Sequence, residues 1–374
     1  QGAVLLRQCL SKVKDEGSLW LGLGEAAQLD VRGKLLQILE AEPVSQVRRK
    51  VADCIQSLGN QLIEIASDQR PRNVDVWPEL MPMLMRCICD NSKDSGVRAD
   101  CLWVVKELAC TVWQILVASG EQSVQVLRAC LLDSSDAIRS EAAAMLCSLV
   151  DNIEAREDRK PFAPLIPEMA GVLAQLANAD DSKALNVVLQ SLQTTTETAD
   201  FFKNHVASHI MPVMTGIAKS HKDTASRKYA FEVIITFMES KPKMMLKVSN
   251  YVESALEVCL HFMMELDNDV DAWAAEDEDE GEDEEEQFTF GKEAIDRICR
   301  CANKVEAFPQ VLEVLKPAIA KLFASGDWKQ VVAGICTFSQ IAEYVDDEAT
   351  VVQMVQVVKV QLAAAHSRVR HQAW

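Results

Sequence analysis

Eight times along this chain of 374 residues a short polar turn opens a helical run of the same kind, and that recurrence limits the fold more than any other feature. The runs open at Val44, Asp94, Ser135, Asp181, Lys222, Gly291, Asp327 and Ser367, at intervals of 50, 41, 46, 41, 69, 36 and 40 residues. An Asp or Ser stands near most openings, as a helix N-cap should. A small or branched apolar residue followed by Arg recurs just inside: Val47-Arg48, Val97-Arg98, Ile138-Arg139 and Val369-Arg370, with weaker versions at Ser226-Arg227 and Asp296-Arg297. Val97, Cys101, Val104 and Leu108, like Ile138, Ala142, Met145 and Leu149, lie at i, i+4, i+7 and i+11 and turn one helical face inward. The helices that precede these runs carry prolines: Pro78 and Pro82, Pro164 and Pro167, Pro212, and Pro317. An interior proline removes a backbone hydrogen bond and bends the helix, and the same bend in successive units fits a curved stack.

A two-helix unit of about 40 residues with an Asp…Val-Arg opening resembles the HEAT repeat. One pair cannot bury its apolar face alone, whereas stacked pairs share a continuous core. The expected fold is therefore all-α: a right-handed α-solenoid of about eight HEAT repeats spanning 1–374 as a single domain, with an orphan second helix near Ala3–Asp15. The last pair stops at Trp374 and neither end shows a polar capping helix, so a piece of a longer solenoid is expected. Composition agrees, with only 14 Gly, 11 Pro and 3 Tyr, too few for a turn-rich β protein. No run of 18 apolar residues predicts a membrane span, and the opening residues lack the basic start of a secretory signal. The 12 Cys are scattered without a CxxC pair, which points to a reducing compartment.

The longest interval holds an acidic block. Between Glu265 and Glu286 there are 14 acids and no base; outside it 42 acids face 38 bases. Mutual repulsion predicts a solvated loop over 267–290, inserted between the two helices of one repeat. With no broad basic face, direct nucleic-acid binding is not expected, and a basic partner is the natural complement. An inert solubilising loop is the ordinary alternative. Trp273 is out of place in such a stretch: it either anchors the loop against helices or ends the preceding helix.

On the second helices Asp53, Glu107 and Glu141, and the hydrogen-bonding stripe Asn186, Gln190, Gln193 and Glu197, are candidates to line a groove for Lys and Arg side chains or an extended peptide backbone. Each is also readable as an ordinary polar helix face. Met81, Met83, Leu84, Met85 and Phe162 are candidates for apolar slots between first helices, with plain core packing the commoner role. His205 and His209 stand at i, i+4 without a third ligand, and no Glu follows His205 as a zinc-protease motif requires. P-loop, GxGxxG and GxSxG sequences are absent. No catalytic residue, cofactor or metal is expected.

The run VLLRQCLS at 4–11, the acidic insertion with Trp273 followed by GKEAIDRICR at 291–300, DWKQVVAGICTFSQIAE at 327–343 and HSRVRHQAW at 366–374 are together similar to the importin-beta superfamily, nearest its importin-5 or karyopherin beta-3 branch. The resemblance runs in order along the chain and covers part of a full-length receptor. It implies that the repeats carrying the family's primary Ran contact precede this segment and that a long C-terminal half follows. It implies a nuclear transport receptor shuttling between cytoplasm and nucleus through the pore. Its partners are basic cargo on the second-helix face, Phe-Gly nucleoporins between first helices, and Ran-GTP, which releases cargo. In the family a comparable acidic loop contacts Ran or influences cargo, and Asp269, Asp271, Trp273, Asp277 and Glu278 match that region. A static HEAT scaffold, such as one that assembles a phosphatase, accounts for the repeats but not for the acidic insertion.

Overall fold

A computed structural model describes residues 13–14, 17–18, 20, 22–67, 77–179, 181–275 and 286–374. Contacts divide the chain into two compact units, Gln1–Phe202 and Lys203–Trp374. The first opens on a two-residue antiparallel pairing, β1 (Val13–Lys14) with β2 (Gly17–Ser18). At Val13 and Lys14 this replaces the expected orphan helix, since Gly17 and Ser18 are poor helix formers; the rest of that stretch lies outside the described residues. Four helix pairs follow: α1 (Glu25–Ala41) with α2 (Ser45–Ser67), α3 (Leu80–Cys89) with α4 (Ser95–Glu107), α6 (Glu121–Leu131) with α7 (Asp136–Asn152), and α8 (Ile166–Asn178) with α9 (Ser182–Thr194). An additional helix, α5 (Ala109–Ala118), leaves α4 at a bend of 101°.

The second unit holds α10 (Met211–Ser220) with α11 (Thr224–Ser240), α12 (Tyr251–Met263) with α14 (Glu286–Asn303), α15 (Phe308–Ala324) with α16 (Trp328–Ile341), and α17 (Glu348–Gln361) with α18 (Ser367–Ala373). A short helix, α13 (Val270–Ala275), lies between α12 and α14. The fold is the all-α array of HEAT pairs that the sequence predicts. Second helices begin within two residues of the expected openings except α14, which starts at Glu286 rather than Gly291. Its first turn is held by Phe288, which is buried, and by Phe290, which meets Phe231 and Phe262 edge-on at 5.3 and 5.8 Å.

The openings work as the sequence suggests. Asp94, Asp181, Asp223 and Asp327 each accept a bond from a backbone N–H in the first turn of their helix, as does Asp347 for α17. This satisfies one donor that the helix itself leaves open. Ser135 and the Ser367 opening are exceptions, with no side-chain cap bond at the start of α7 or of α18. The recurring Arg closes the corner between paired helices. Arg48 donates to the Glu42 carbonyl at 2.9 Å, Arg98 to Ile88 at 3.0 Å, Arg139 to Asp133 at 2.7 Å, Arg227 to Ala218 at 2.9 Å and Arg370 to Ala364 at 2.7 Å. Each caps the carboxyl end of its first helix, where the dipole favours a cation.

The prolines do less bending than expected. Pro167 and Pro212 sit in the first turn of α8 and α10, where the missing N–H costs nothing. Pro82 is the third residue of α3, and among the described prolines only Pro317 lies deep inside an α-helix. The core runs along the second helices. In α7 Ile138, Ala142, Ala143, Ala144, Leu146 and Leu149 are essentially inaccessible, and the small side chains let α4 and α9 approach from either side. In the second unit Phe231 stacks on Phe262 at 5.1 Å. Among the described residues no single helix is long and apolar enough to cross a membrane.

Candidate functional site

The second-helix face of the first unit carries a continuous charge relay. Arg48, 3% exposed, donates from Nε to Asp100 at 2.6 Å, and Arg49 reaches the other carboxylate oxygen at 3.1 Å. The Arg49 guanidinium lies 4.0 Å from the Trp103 ring centre and 3.7 Å from Glu141. Lys106 approaches both Glu107 and Glu141 at 3.4 Å. Three successive second helices, α2, α4 and α7, are thereby joined. Burial raises the Glu141 carboxyl above its ordinary value, and the nearby Lys106 and Arg49 only partly offset this. Of the candidates, Glu107 and Glu141 are therefore engaged within the chain, and Asp53 faces Lys50 at 3.7 Å.

Along α9, Asn186 and Gln193 are half-buried and Gln190 is exposed, while Leu185, Val188, Leu189 and Leu192 fill the opposite side. Glu197 lies past the end of α9, in the tighter turn Thr195–Phe202, where α-helical spacing no longer applies. Three of the four predicted members share one helical stripe.

The base of the acidic insertion is built and fixed. The Asp269 N–H donates to Asp267 Oδ1 at 3.0 Å, and the Asp269 carbonyl receives the Trp273 N–H at 3.1 Å, which starts α13. Backbone donation from Asp269 and Asn268 holds the Asp267 carboxyl below its ordinary value. Asp271 lies on α13; Asp277 and Glu278 fall outside the described residues. Trp273 meets His371 edge-on at 5.3 Å, and the guanidinium of Arg368 lies over its ring at 4.9 Å. Arg368, only 5% exposed, also faces Trp328 at 5.7 Å. Trp328 stacks on His366 at 4.1 Å, nearly parallel. Lys329 donates to the Leu266 carbonyl at 2.6 Å. Of the two roles open to Trp273, the anchor is the one observed: it pins α13 to α18, and Arg368 carries the link on to Trp328 of α16. Burial, with Arg368 and Arg370 nearby, lowers the affinity of His366 for a proton.

Met83, Leu84 and Phe162 are core residues, whereas Met81 and Met85 border a cavity at the start of α3. An open groove of about 620 Å3 separates α10 from the start of α12, with Met211, Pro212, Gly216 and Asn250 in its walls. His205 and His209 fall in a π-type turn rather than one α-helical face, with ring centres 5.3 Å apart. Among the described residues no group of three or more His, Cys, Asp or Glu could hold a metal ion, and every described cysteine is a free thiol. Burial pushes Cys130, Cys147 and Cys299 up to about 12, so these thiols stay protonated.

Two signals escaped the sequence. The partners of the recurring Arg are carbonyls fixed by where each first helix ends. The Trp273–Arg368 contact joins distant segments and has no local signature.

Residues 43–211 match a family described as IPO5-like TPR repeats, and residues 219–303 match the importin repeat. The probable importin-5 homolog of Dictyostelium discoideum is 21% identical over 344 residues, which is 91% of this chain and 30% of that protein. Crystal structures of Kap121p bound to Pho4p and of Kap121p bound to RanGTP each superpose with a TM-score of 0.80 at 19% identity. Each superposition covers 99% of this chain and 34% of Kap121p. The chain thus spans about a third of the length of the relatives it matches, and its fold is theirs over that length. With its HEAT pairs in order and the acidic insertion between the helices of the sixth, the chain belongs to the importin-beta superfamily, on the importin-5-like branch.

Proposed function

We propose that this segment belongs to a nuclear transport receptor that carries basic cargo, releases it to Ran-GTP and crosses the pore on Phe-Gly nucleoporins. The observation that carries this reading is the fixed base of the acidic insertion. Lys329 and the Trp273–Arg368 contact hold it against the second helices of the seventh and eighth pairs. A run of acids within about 10 Å of a bound peptide attracts Lys and Arg at physiological salt. Asn186, Gln190 and Gln193 offer donors and acceptors to a peptide backbone. The groove between α10 and α12 is shallow and lined by Met211, Pro212 and the bare Gly216, which suits a Phe-Gly contact. On this reading the chain has no catalytic role.

The test uses the full-length receptor. A Lys- and Arg-rich peptide should bind tightly at 0.1 M salt and at least tenfold more weakly near 0.5 M, where screening shortens the reach of each charge. Ran-GTP should release it, and deletion of 276–285 should weaken the peptide or blunt the release. Peptide binding that ignores both salt and Ran-GTP would assign the array to a static scaffold.

A further inference from the structure

The cavity at the start of α3 is unlike the open groove. It measures about 240 Å3 and is walled by α2, the Trp77–Met81 segment, α5 and the first turn of α6. Among the described residues its lining is mostly apolar, including Leu62, Met81, Val112 and Leu116, and holds no ionisable side chain. Two polar groups in the wall break that pattern. The Trp77 indole N–H and the Ser123 hydroxyl are buried and have no hydrogen-bond partner among the described residues. Trp77 is 6% exposed and Ser123 3% exposed. A buried polar group without a partner is costly.

We infer that this cavity is a binding site for a small uncharged molecule with an aromatic or alicyclic ring and a carbonyl oxygen. Among the described residues nothing in the wall offsets the desolvation of an ionic ligand, which favours an uncharged one. Size fits: an apolar cavity of roughly 150 Å3 holds benzene, and this one leaves room for a ring with a few more atoms. The indole N–H is donor only, so the ligand must bring an acceptor. A carbonyl oxygen supplies that acceptor, and its second lone pair can take a hydroxyl donor such as that of Ser123. Because the walls come from the first three helix pairs, occupancy stiffens their packing.

Acetophenone and ethylbenzene are matched in ring and size and differ in the carbonyl, so ligand-observed NMR titration on the 374-residue chain separates shape from recognition. Acetophenone should bind saturably and roughly tenfold tighter than ethylbenzene, the worth of pairing a donor that is otherwise buried alone. Trp77→Phe removes the indole donor and enlarges the cavity, so it should erase most of that preference whatever it does to ethylbenzene, while Ser123→Ala, a change of one oxygen, should reduce the preference and leave ethylbenzene binding within about twofold. Equal affinity for the two probes, or no saturable binding by either, overturns the proposal. Tighter binding of N-acetyl-phenylalaninamide than of acetophenone overturns it also, by assigning the cavity to a peptide side chain. Thermal unfolding of each variant, unchanged within a few degrees, keeps the comparison on binding.

Discussion

Gly291 sits where α14 crosses α12, and a Cβ there would lie 2.6 Å from the Cys259 carbonyl and 2.9 Å from Phe262 Cβ. Backbone cannot yield as a flexible side chain does, so Gly291→Ala should cost about 1–3 kcal/mol in urea unfolding. Gly33, on the exposed side of α1 with nothing within 4 Å, should respond oppositely to the same change, gaining about 0.5–1 kcal/mol. Arg297 is the other single residue on which much rests. It grips Glu232 at 2.7 and 3.0 Å and Glu239 at 2.8 and 2.9 Å, and this holds the Glu239 carboxyl below its ordinary value. The stabilisation is present above the unfolded carboxylate value of about 4.3 and is lost as pH falls through the lowered folded value. Arg297→Gln should therefore cost about 1–3 kcal/mol at pH 7, and its gap from the parent chain should close below about pH 4. The recurrence of Arg was legible from spacing alone. Its task was not, because carbonyl acceptors belong to every residue and only the end of the first helix selects among them.

Helix starts were the most readable elements, since an N-cap is a local contract between one side chain and the next two or three backbone N–H groups. Asp223 makes two such bonds, to the Ser226 N–H at 2.8 Å and its hydroxyl at 2.7 Å. Asp223→Ala should lower stability by about 1 kcal/mol, while Ser135→Ala, at a start with no side-chain cap bond, should change it by less than about 0.5 kcal/mol. Thermal melts of the two variants make the comparison. Where elements were misjudged, tertiary contacts decided. The stretch 270–275 reads as part of a solvated acidic loop, yet it is helical because Trp273 finds Arg368 and His371 nearly a hundred residues on. Glu286–Phe290 reads the same way, yet it begins α14 because Phe288 and Phe290 complete an aromatic cluster. The prolines were read as bends, but position within the turn decides whether a proline breaks a bond, and Pro167 and Pro212 break none.

Within each unit the pairs pack on their neighbours, so damage should stay local. Arg48→Ala leaves Asp100 half-paired under α4 and should cost about 3 kcal/mol by analogy with broken buried ion pairs. Hydrogen exchange should then quicken in α2, α4 and α7 while α14, α16 and α18 keep their protection; uniform loss across the chain would contradict nearest-neighbour stability. Repeat architecture was fully legible because it is written many times over, and a few misread boundaries cannot erase it. A ligand-binding face is written once, with residues drawn from separate pairs, which is why the Trp77–Ser123 cavity left no trace in the spacing. The clamp of Arg368 between two indoles works as a rivet: one guanidinium fastens the ring of Trp273 on α13 and that of Trp328 on α16 to α18, so removing it should loosen all three helices at once.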